Sequence, residues 1–185
     1  MQATVSEIRI ERLSASAFAA AQDELVKLLQ ACVHGGASLG FLAPLSDSEA
    51  IDYWRTLGPE IQSGGRIVLV AREGVEGRII GSGQLVYGSK SNGRHRAEVC
   101  KVIVMPSHRR RGIAARIMSE LERHARERFI RLLFLDTSEG PGGACEFYET
   151  LGYTYAGGIP DWALDPDGRP AKNAIYFKML GVAAG

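Results

Sequence analysis

Cysteine is scarce, and what there is makes no pattern. Cys32, Cys100 and Cys145 are odd in number, far apart and form no CxxC pair, which excludes a disulfide scaffold. Each sits inside an apolar-periodic segment and reads as a buried thiol. No apolar run approaches the roughly 20 residues that a membrane-spanning helix needs, and the first residues lack the basic-then-apolar order of a secretory signal. The expectation is a cytosolic (cytoplasmic) protein with no membrane partner. An excess of one charge is missing as well: 22 Lys+Arg against 21 Asp+Glu give a net charge of +1, which speaks against a polyelectrolyte seeking nucleic acid. His95, His108 and His124 have no metal-ligand spacing with each other or with the cysteines, so no metal is expected. No linker, repeat or low-complexity stretch divides the chain. Residues 1–185 read as a single domain, long enough to bury roughly 70% of its unfolded surface.

What is there is a mixed α/β pattern. "SEIRIERL" alternates like a strand, and "SASAFAAAQDELVKLLQACV" then carries Phe18, Ala21, Leu25, Leu28, Leu29 and Cys32 at helical spacing. Glycines interrupt at "HGGASLGF". A second helix starts in "LSDSEAIDYWRTL", with Ser46 and Glu49 in capping-box spacing and Ile51, Trp54 and Leu57 on one side. After "SGG", the segments "RIVLVARE", "RIIGSGQLVYG" and "RAEVCKVIVM", split by the turns "GVEG" and "SKSNG", predict a three-strand meander. A helix follows with Ile113, Ile117, Met118, Leu121 and Ala125 on one face; "RLLFLDT" reads as a buried strand and "GGACEFYETLGY" as a brief helix. "YTYAGGI" and "NAIYFKML" close the chain as strands around a polar loop, "PDWALDPDGRP". The predicted order is β-α-α-β-β-β-α-β-α-β-β.

Charge is uneven along this pattern. Between Arg109 and Arg131 lie eight arginines against three acids, Glu120, Glu122 and Glu127. Three of them, Arg109 to Arg111, directly precede Gly112 and the helix that starts with Ile113. A helix N-terminus already presents unpaired N–H groups and the positive end of the dipole, so arginines there ask for an anion. Gly112 and Ala114 let a bound group approach the main chain, as a phosphate-cradling turn requires. No lysine followed by Ser or Thr comes after the glycine, so this is not a Walker A loop, and a dinucleotide fingerprint would need other glycine spacing and a parallel unit before it.

A strand ending in Val-x-Pro and leading into Arg-x-x-Gly-x-Ala ("VIVMPSHRRRGIA"), followed later by "FYETLGY", resembles the GNAT superfamily of N-acetyltransferases. The element order fits too, over most of the chain after Arg66. The resemblance implies a mixed, mostly antiparallel central sheet flanked by helices, and acetyl-CoA as co-substrate. It implies that the pyrophosphate lies on the backbone N–H groups of Arg110, Arg111, Gly112, Ile113, Ala114 and Ala115. The pantetheine arm then pairs with Val102, Ile103 and Val104 where neighbouring strands splay, and basic side chains from Arg109 to Arg111 meet the 3′-phosphate. Pro141 stands where many relatives carry an asparagine. A closer similarity, in "HGGASLGF", "NGRHRAEVCKVIVMPSHRRRGIA", "LDT" and "AIYFKML", is to a family member that acetylates a small amino-acid toxin.

Acetyl transfer needs a neutral amine, whereas an alkyl ammonium has a pKa of about 10. The candidate proton acceptors are Glu98, Asp136 and His34. Glu98 shares a strand face with Cys100, Val102 and Val104 by period-two counting, unless a bulge breaks the count; the plain alternative is a rim residue pairing with Arg94 or Arg96. Asp136 ends a strand, suiting either a site or a turn cap. His34, with Gly35 and Gly36 beside it, is a candidate for acceptor binding on the resemblance; otherwise it interacts with a helix dipole and the glycines stop the helix. Tyr148 matches the family tyrosine that protonates or hydrogen-bonds the departing thiolate, or else is a core aromatic. The developing oxyanion falls to a backbone N–H near Val102 to Val104. The reading is direct attack by a small amino-acid-like amine in a ternary complex, on a monomer or homodimer without nucleic acid. A polyamine, antibiotic or protein amine as acceptor, and a non-catalytic acyl-CoA sensor, are the alternatives.

Overall fold

The computed structural model describes residues 7–74, 77–140 and 144–181; Pro141 and part of the "GVEG" turn lie outside them. A seven-stranded sheet runs in the order β1 (Ile8–Arg12), β2 (Arg66–Glu73), β3 (Ile79–Tyr87), β4 (Arg96–Val104), β5 (Leu132–Ser138), β9 (Asn173–Met179), β6 (Thr154–Gly157). Among the described residues only β4 and β5 pair parallel; every other neighbour in the sheet is antiparallel. This is the mixed, mostly antiparallel α/β sheet that the sequence predicts.

Alternation along the strands serves two cores. In β2, Ile67, Leu69 and Ala71 face α5 (Ile113–Glu127) and α6 (Cys145–Thr150), while Val68 and Val70 face α1 (Ala15–Ala20), α2 (Gln22–His34), α3 (Asp47–Thr56) and α4 (Gly58–Ser63). Four helices therefore stand where two were expected between β1 and β2. The long first helix breaks at Ala21, whose backbone leaves the helical region at φ −90°, ψ 1°, and Pro59 at the start of α4 opens a separate turn of helix. Periodicity reports the buried face of a helix and says little about such breaks. Inside the expected polar loop a two-residue hairpin forms, β7 (Ala163–Leu164) against β8 (Pro170–Ala171). The Ser46 cap holds: its side chain accepts the N–H of Glu49 at 3.3 Å.

α5 seats closely on β3 because Gly83 carries no side chain there. A Cβ at that position would lie 2.5 Å from Ile117 Cγ2 and 3.2 Å from Leu121 Cδ1. Ile117 is β-branched and fully buried, so it has no room to yield. Gly83→Ala is expected to destabilise the fold by about 1–3 kcal/mol, read as a fall in melting temperature of roughly 2–4 °C per kcal/mol.

Two irregularities of β4 make the site. The β4–β5 ladder ends at Glu98 opposite Phe134, after which the two strands separate. On the other edge, Cys100 pairs with Gln84 and Ile103 with Ser82, so Lys101 and Val102 together oppose the single residue Gly83. Lys101 takes φ 52° to allow this bulge. The bulge inverts the side-chain phase. Val102 and Val104 pack toward α5, whereas Ile103 joins the core under α1 to α4. The unbroken count that puts Glu98 and Cys100 on one face with Val102 and Val104 is thereby corrected: the two pairs lie on opposite faces.

Candidate active site

The arginine turn opens α5 as the sequence predicts. Gly112 is the residue before the helix, in the left-handed region at φ 74°, with no side-chain cap and no acidic residue in the first turn. Arg110 is left-handed too, at φ 61°. Among the described residues, the backbone N–H groups of Arg110, Arg111, Gly112, Ile113, Ala114 and Ala115 find no acceptor. Six consecutive unpaired donors at the positive end of a 15-residue helix form an anion cradle. A groove of about 600 Å3 runs beside it, walled by Val104, His108 and Arg109 on one side and by Phe147, Thr150 and Leu151 of the α6 region on the other.

The three arginines divide their work. Arg109, though exposed, lays its guanidinium against the end of α2, near Cys32 and Gly35. Arg111 donates to Glu73 Oε1 at 3.1 Å, and the other oxygen of Glu73 meets His108 Nε2 at 3.1 Å. Arg110 makes no hydrogen bond or ion pair among the described residues, which leaves it available to a phosphate. Sequence reasoning missed Glu73, which lies 38 residues from Arg111 at the end of β2 and fixes the turn from behind.

Beyond Glu98, the edge of β4 that faces β5 has no strand partner, so alternate backbone groups of Val102, Ile103 and Val104 face the gap. A cavity of about 190 Å3 opens there, lined by Cys100 and Lys101 from β4, Asp136, Thr137 and Ser138 from β5, residues 38–40, Trp162, Ala163 and residues 171–173. That is more than ten times the space one water needs.

Of the expected proton acceptors, Glu98 and Asp136 lie within electrostatic reach of each other, Asp136 in the cavity and Glu98 in a neighbouring pocket of about 230 Å3 with Tyr87, Arg96 and Phe134, and His34 stands apart. Glu98 is half-buried and forms no ion pair among the described residues; Arg96, its expected rim partner, lies over the Phe134 ring at 5.7 Å instead. Burial and, secondarily, the charge of Asp136 push the Glu98 pKa up, against the opposing pull of Arg66 and Lys101. Asp136 is exposed to the cavity and caps no turn among the described residues. His34 is exposed, and its Nε2 accepts the Leu45 N–H at 3.0 Å, tying down the loop after α2. With Gly35 and Gly36 it lines a different cavity, of about 480 Å3, beside Asp165, Asp167 and Arg169.

Tyr148 is buried among Phe147, Tyr153 and Tyr176, with ring centroids 5.2, 5.9 and 6.2 Å away. Burial pushes its phenol pKa up, with added contributions from Cys100 and Asp136, which marks how near the cleft it lies. Its hydroxyl makes no hydrogen bond among the described residues. Cys100 stays a thiol, its pKa raised by burial, and hydrogen-bonds into a network of Arg66, Gln84 and Tyr53. Gln84 is fully buried in the middle of β3, and the polar residue within "GSGQLVYG" was the sequence signal for that network. No group of three or more metal-ligating side chains forms among the described residues. No helix there is long and apolar enough to cross a membrane.

A splayed parallel pair, with an anion cradle at one end of the split and a small polar cavity at the other, defines an acyl-transferring enzyme. The acetyltransferase (GNAT) family model matches residues 25–153, and the chain belongs to that family as an N-acetyltransferase. Among solved structures, it is similar to an N-acetyltransferase from Staphylococcus aureus at TM-score 0.76 and 15% identity, covering 95% of this chain and 100% of that one. A phosphinothricin acetyltransferase from Sinorhizobium meliloti in complex with acetyl-CoA superposes at TM-score 0.74 and 19% identity, covering 96% and 90%. A ribosomal-protein-alanine N-acetyltransferase from Brucella melitensis gives 0.72 and 20%, covering 93% and 99%. At these identities the likeness is one of fold.

Proposed function

We propose that this chain transfers the acetyl group of acetyl-CoA to the amine of a small amino-acid-like acceptor, by direct attack with both substrates bound. The observation that carries the reading is the split between β4 and β5 beyond Glu98: the cavity containing Asp136 borders it at Cys100 and Lys101, and the groove beside Gly112 borders β4 at Val104. Acetyl-CoA supplies the activated thioester. The N–H groups of residues 110–115 and the Arg110 guanidinium hold its phosphates, and the free edge of β4 at Val102, Ile103 and Val104 aligns the arm. Asp136 receives the acceptor ammonium. Glu98, with its raised pKa, takes the proton through water, and a backbone N–H on that edge faces the developing negative charge. Tyr148 donates a hydrogen bond to the leaving thiolate, which takes its proton from solvent.

The acceptor class draws on sequence as well. "HGGASLGF" and "AIYFKML" look like the corresponding stretches of the tabtoxin resistance protein, so tabtoxinine-β-lactam heads the candidate acceptors and detoxification by acetylation is the proposed role. The test is acetyl-CoA-dependent thiol release with tabtoxinine-β-lactam, free amino acids, polyamines and peptides bearing a free amine. Release with the small amino acids and an N-acetylated product by mass spectrometry is the expected result. Release with polyamines or peptides alone would move the acceptor class, and tight acetyl-CoA binding without any release would favour a sensor.

The cradle makes its own prediction. A Cβ on Gly112 would enter open space, so the cost of replacing it is conformational: a β-branched residue resists φ 74°. Gly112→Val is expected to weaken acetyl-CoA binding by about 5- to 30-fold, the equivalent of roughly 1–2 kcal/mol of left-handed strain, measured by calorimetry.

A further inference from the structure

Lys101 is the unexplained charge of the cavity. The bulge that turns its backbone to φ 52° places Cys100 and Lys101, neighbours in sequence, on the same cavity wall. Its ammonium donates to the Leu39 carbonyl at 2.7 Å and lies over the rings of Phe41 and Tyr53, 5.7 and 5.4 Å from their centroids. An ammonium has three donors, and one is used. Among the described residues it forms no ion pair; Asp136 and Glu98 are near enough to feel its charge but stand outside ion-pair distance. The other ammonium of the cavity, Lys172, is balanced by Glu139 at 2.9 Å and bonded to Tyr155 Oη at 3.1 Å.

Burying a cation without a counter-ion is costly, and a carbonyl and two ring faces recover only part of that cost. Burial accordingly draws the Lys101 pKa down. The same carbonyl and rings hold the side chain from three sides, so its position is set before any ligand arrives. The cavity thus offers one fixed ammonium and, at Asp136, one carboxylate. That arrangement complements a molecule bearing a carboxylate and an amine close together, and it opposes a polyamine, whose second cation would meet Lys101.

We propose that Lys101 anchors the acceptor's carboxylate, so that this site selects amino acids with a free carboxylate over amines that lack one. The inference rests on the acetyl-transfer reading for its chemistry, but not for its binding test. The probes are the L-amino acids, each beside its own carboxamide, which keeps the side chain, removes the negative charge and lowers the pKa of the amine, so rates are compared per neutral amine. The wild-type protein is expected to favour the acid by about 10- to 100-fold in kcat/KM, the range of a hydrogen bond to a charged group. Lys101→Met should bring that ratio near one, the acids losing more rate than their carboxamides, and Lys101→Arg should keep part of the preference.

A merely structural Lys101 would lower both rates and leave their ratio alone. An unchanged ratio in Lys101→Met, or a wild-type preference for carboxamides, overturns the proposal. If none of the probes is acetylated, calorimetric titration of the same pairs into the protein with CoA decides separately. Acid-selective binding that Lys101→Met abolishes upholds the anchor while the acetyl-transfer reading falls; binding without that selectivity, or no binding, overturns the anchor.

Discussion

Glu98→Gln is expected to lower kcat/KM for amine acetylation by about 100- to 10,000-fold, the range of a positioned general base. Glutamine keeps the shape and removes the proton acceptor, so acetyl-CoA binding should be unaffected. The pH profile separates this from a loss of shape. A base works as the carboxylate, and burial together with the Asp136 charge lifts Glu98 above its ordinary value of 4.5. The acid limb of kcat/KM should therefore lie above the usual carboxylate range in the wild type and vanish in Glu98→Gln. Stability moves the other way. A carboxyl with a raised folded-state pKa favours folding when protonated; that contribution is fully present below the unfolded pKa and is lost as pH rises through the folded one. Above that folded-state pKa the ionised Glu98 is a cost, and Glu98→Gln should there melt no lower than the wild type. A variant retaining more than half the activity would remove Glu98 from the proton path.

Tyr148→Phe is the second large effect. The ring fills a cluster with Phe147, Tyr153 and Tyr176 and should keep doing so, whereas the hydroxyl has no hydrogen bond among the described residues and is free for the leaving group. Burial holds the phenol protonated across the working pH range and lifts its pKa above the roughly 8.5 of a free thiol, so Tyr148 steadies the departing thiolate by donating a hydrogen bond and keeps its proton. A loss of about 100-fold in kcat with unchanged acetyl-CoA affinity and unchanged melting temperature is the expected signature. A kcat within twofold of wild type would make Tyr148 a core aromatic and no more.

The cofactor half of the site was legible in sequence because it is local. Strand β4, the arginine turn and α5 are contiguous, and Ile113, Ile117, Met118, Leu121 and Ala125 all fall on the buried face their spacing marks. The acceptor half was less legible because it is assembled from afar: Leu39, Lys101, Asp136 and Trp162 come from four separate segments. Period-two counting along β4 misassigned Val102 and Val104 relative to Glu98 because nothing in "EVCKVIV" announces a bulge, and the same bulge concealed Lys101 as a cavity residue. His34 illustrates a different limit. Glycines beside it mark a bend, yet which side of the bend faces the cleft depends on Leu45, whose N–H takes the imidazole nitrogen.

The proposed function has an acceptor in the Asp136 cavity attack acetyl-CoA lying along the free edge of β4, with no acetyl-enzyme between them. Initial rates of thiol release, with acetyl-CoA and the amine varied against each other, test it most directly. Both substrates bound together give double-reciprocal lines that intersect, and that is the predicted result, consistent with a Cys100 thiol held protonated by burial. Parallel lines, with an acetyl group trapped on the protein when the amine is omitted, would contradict it.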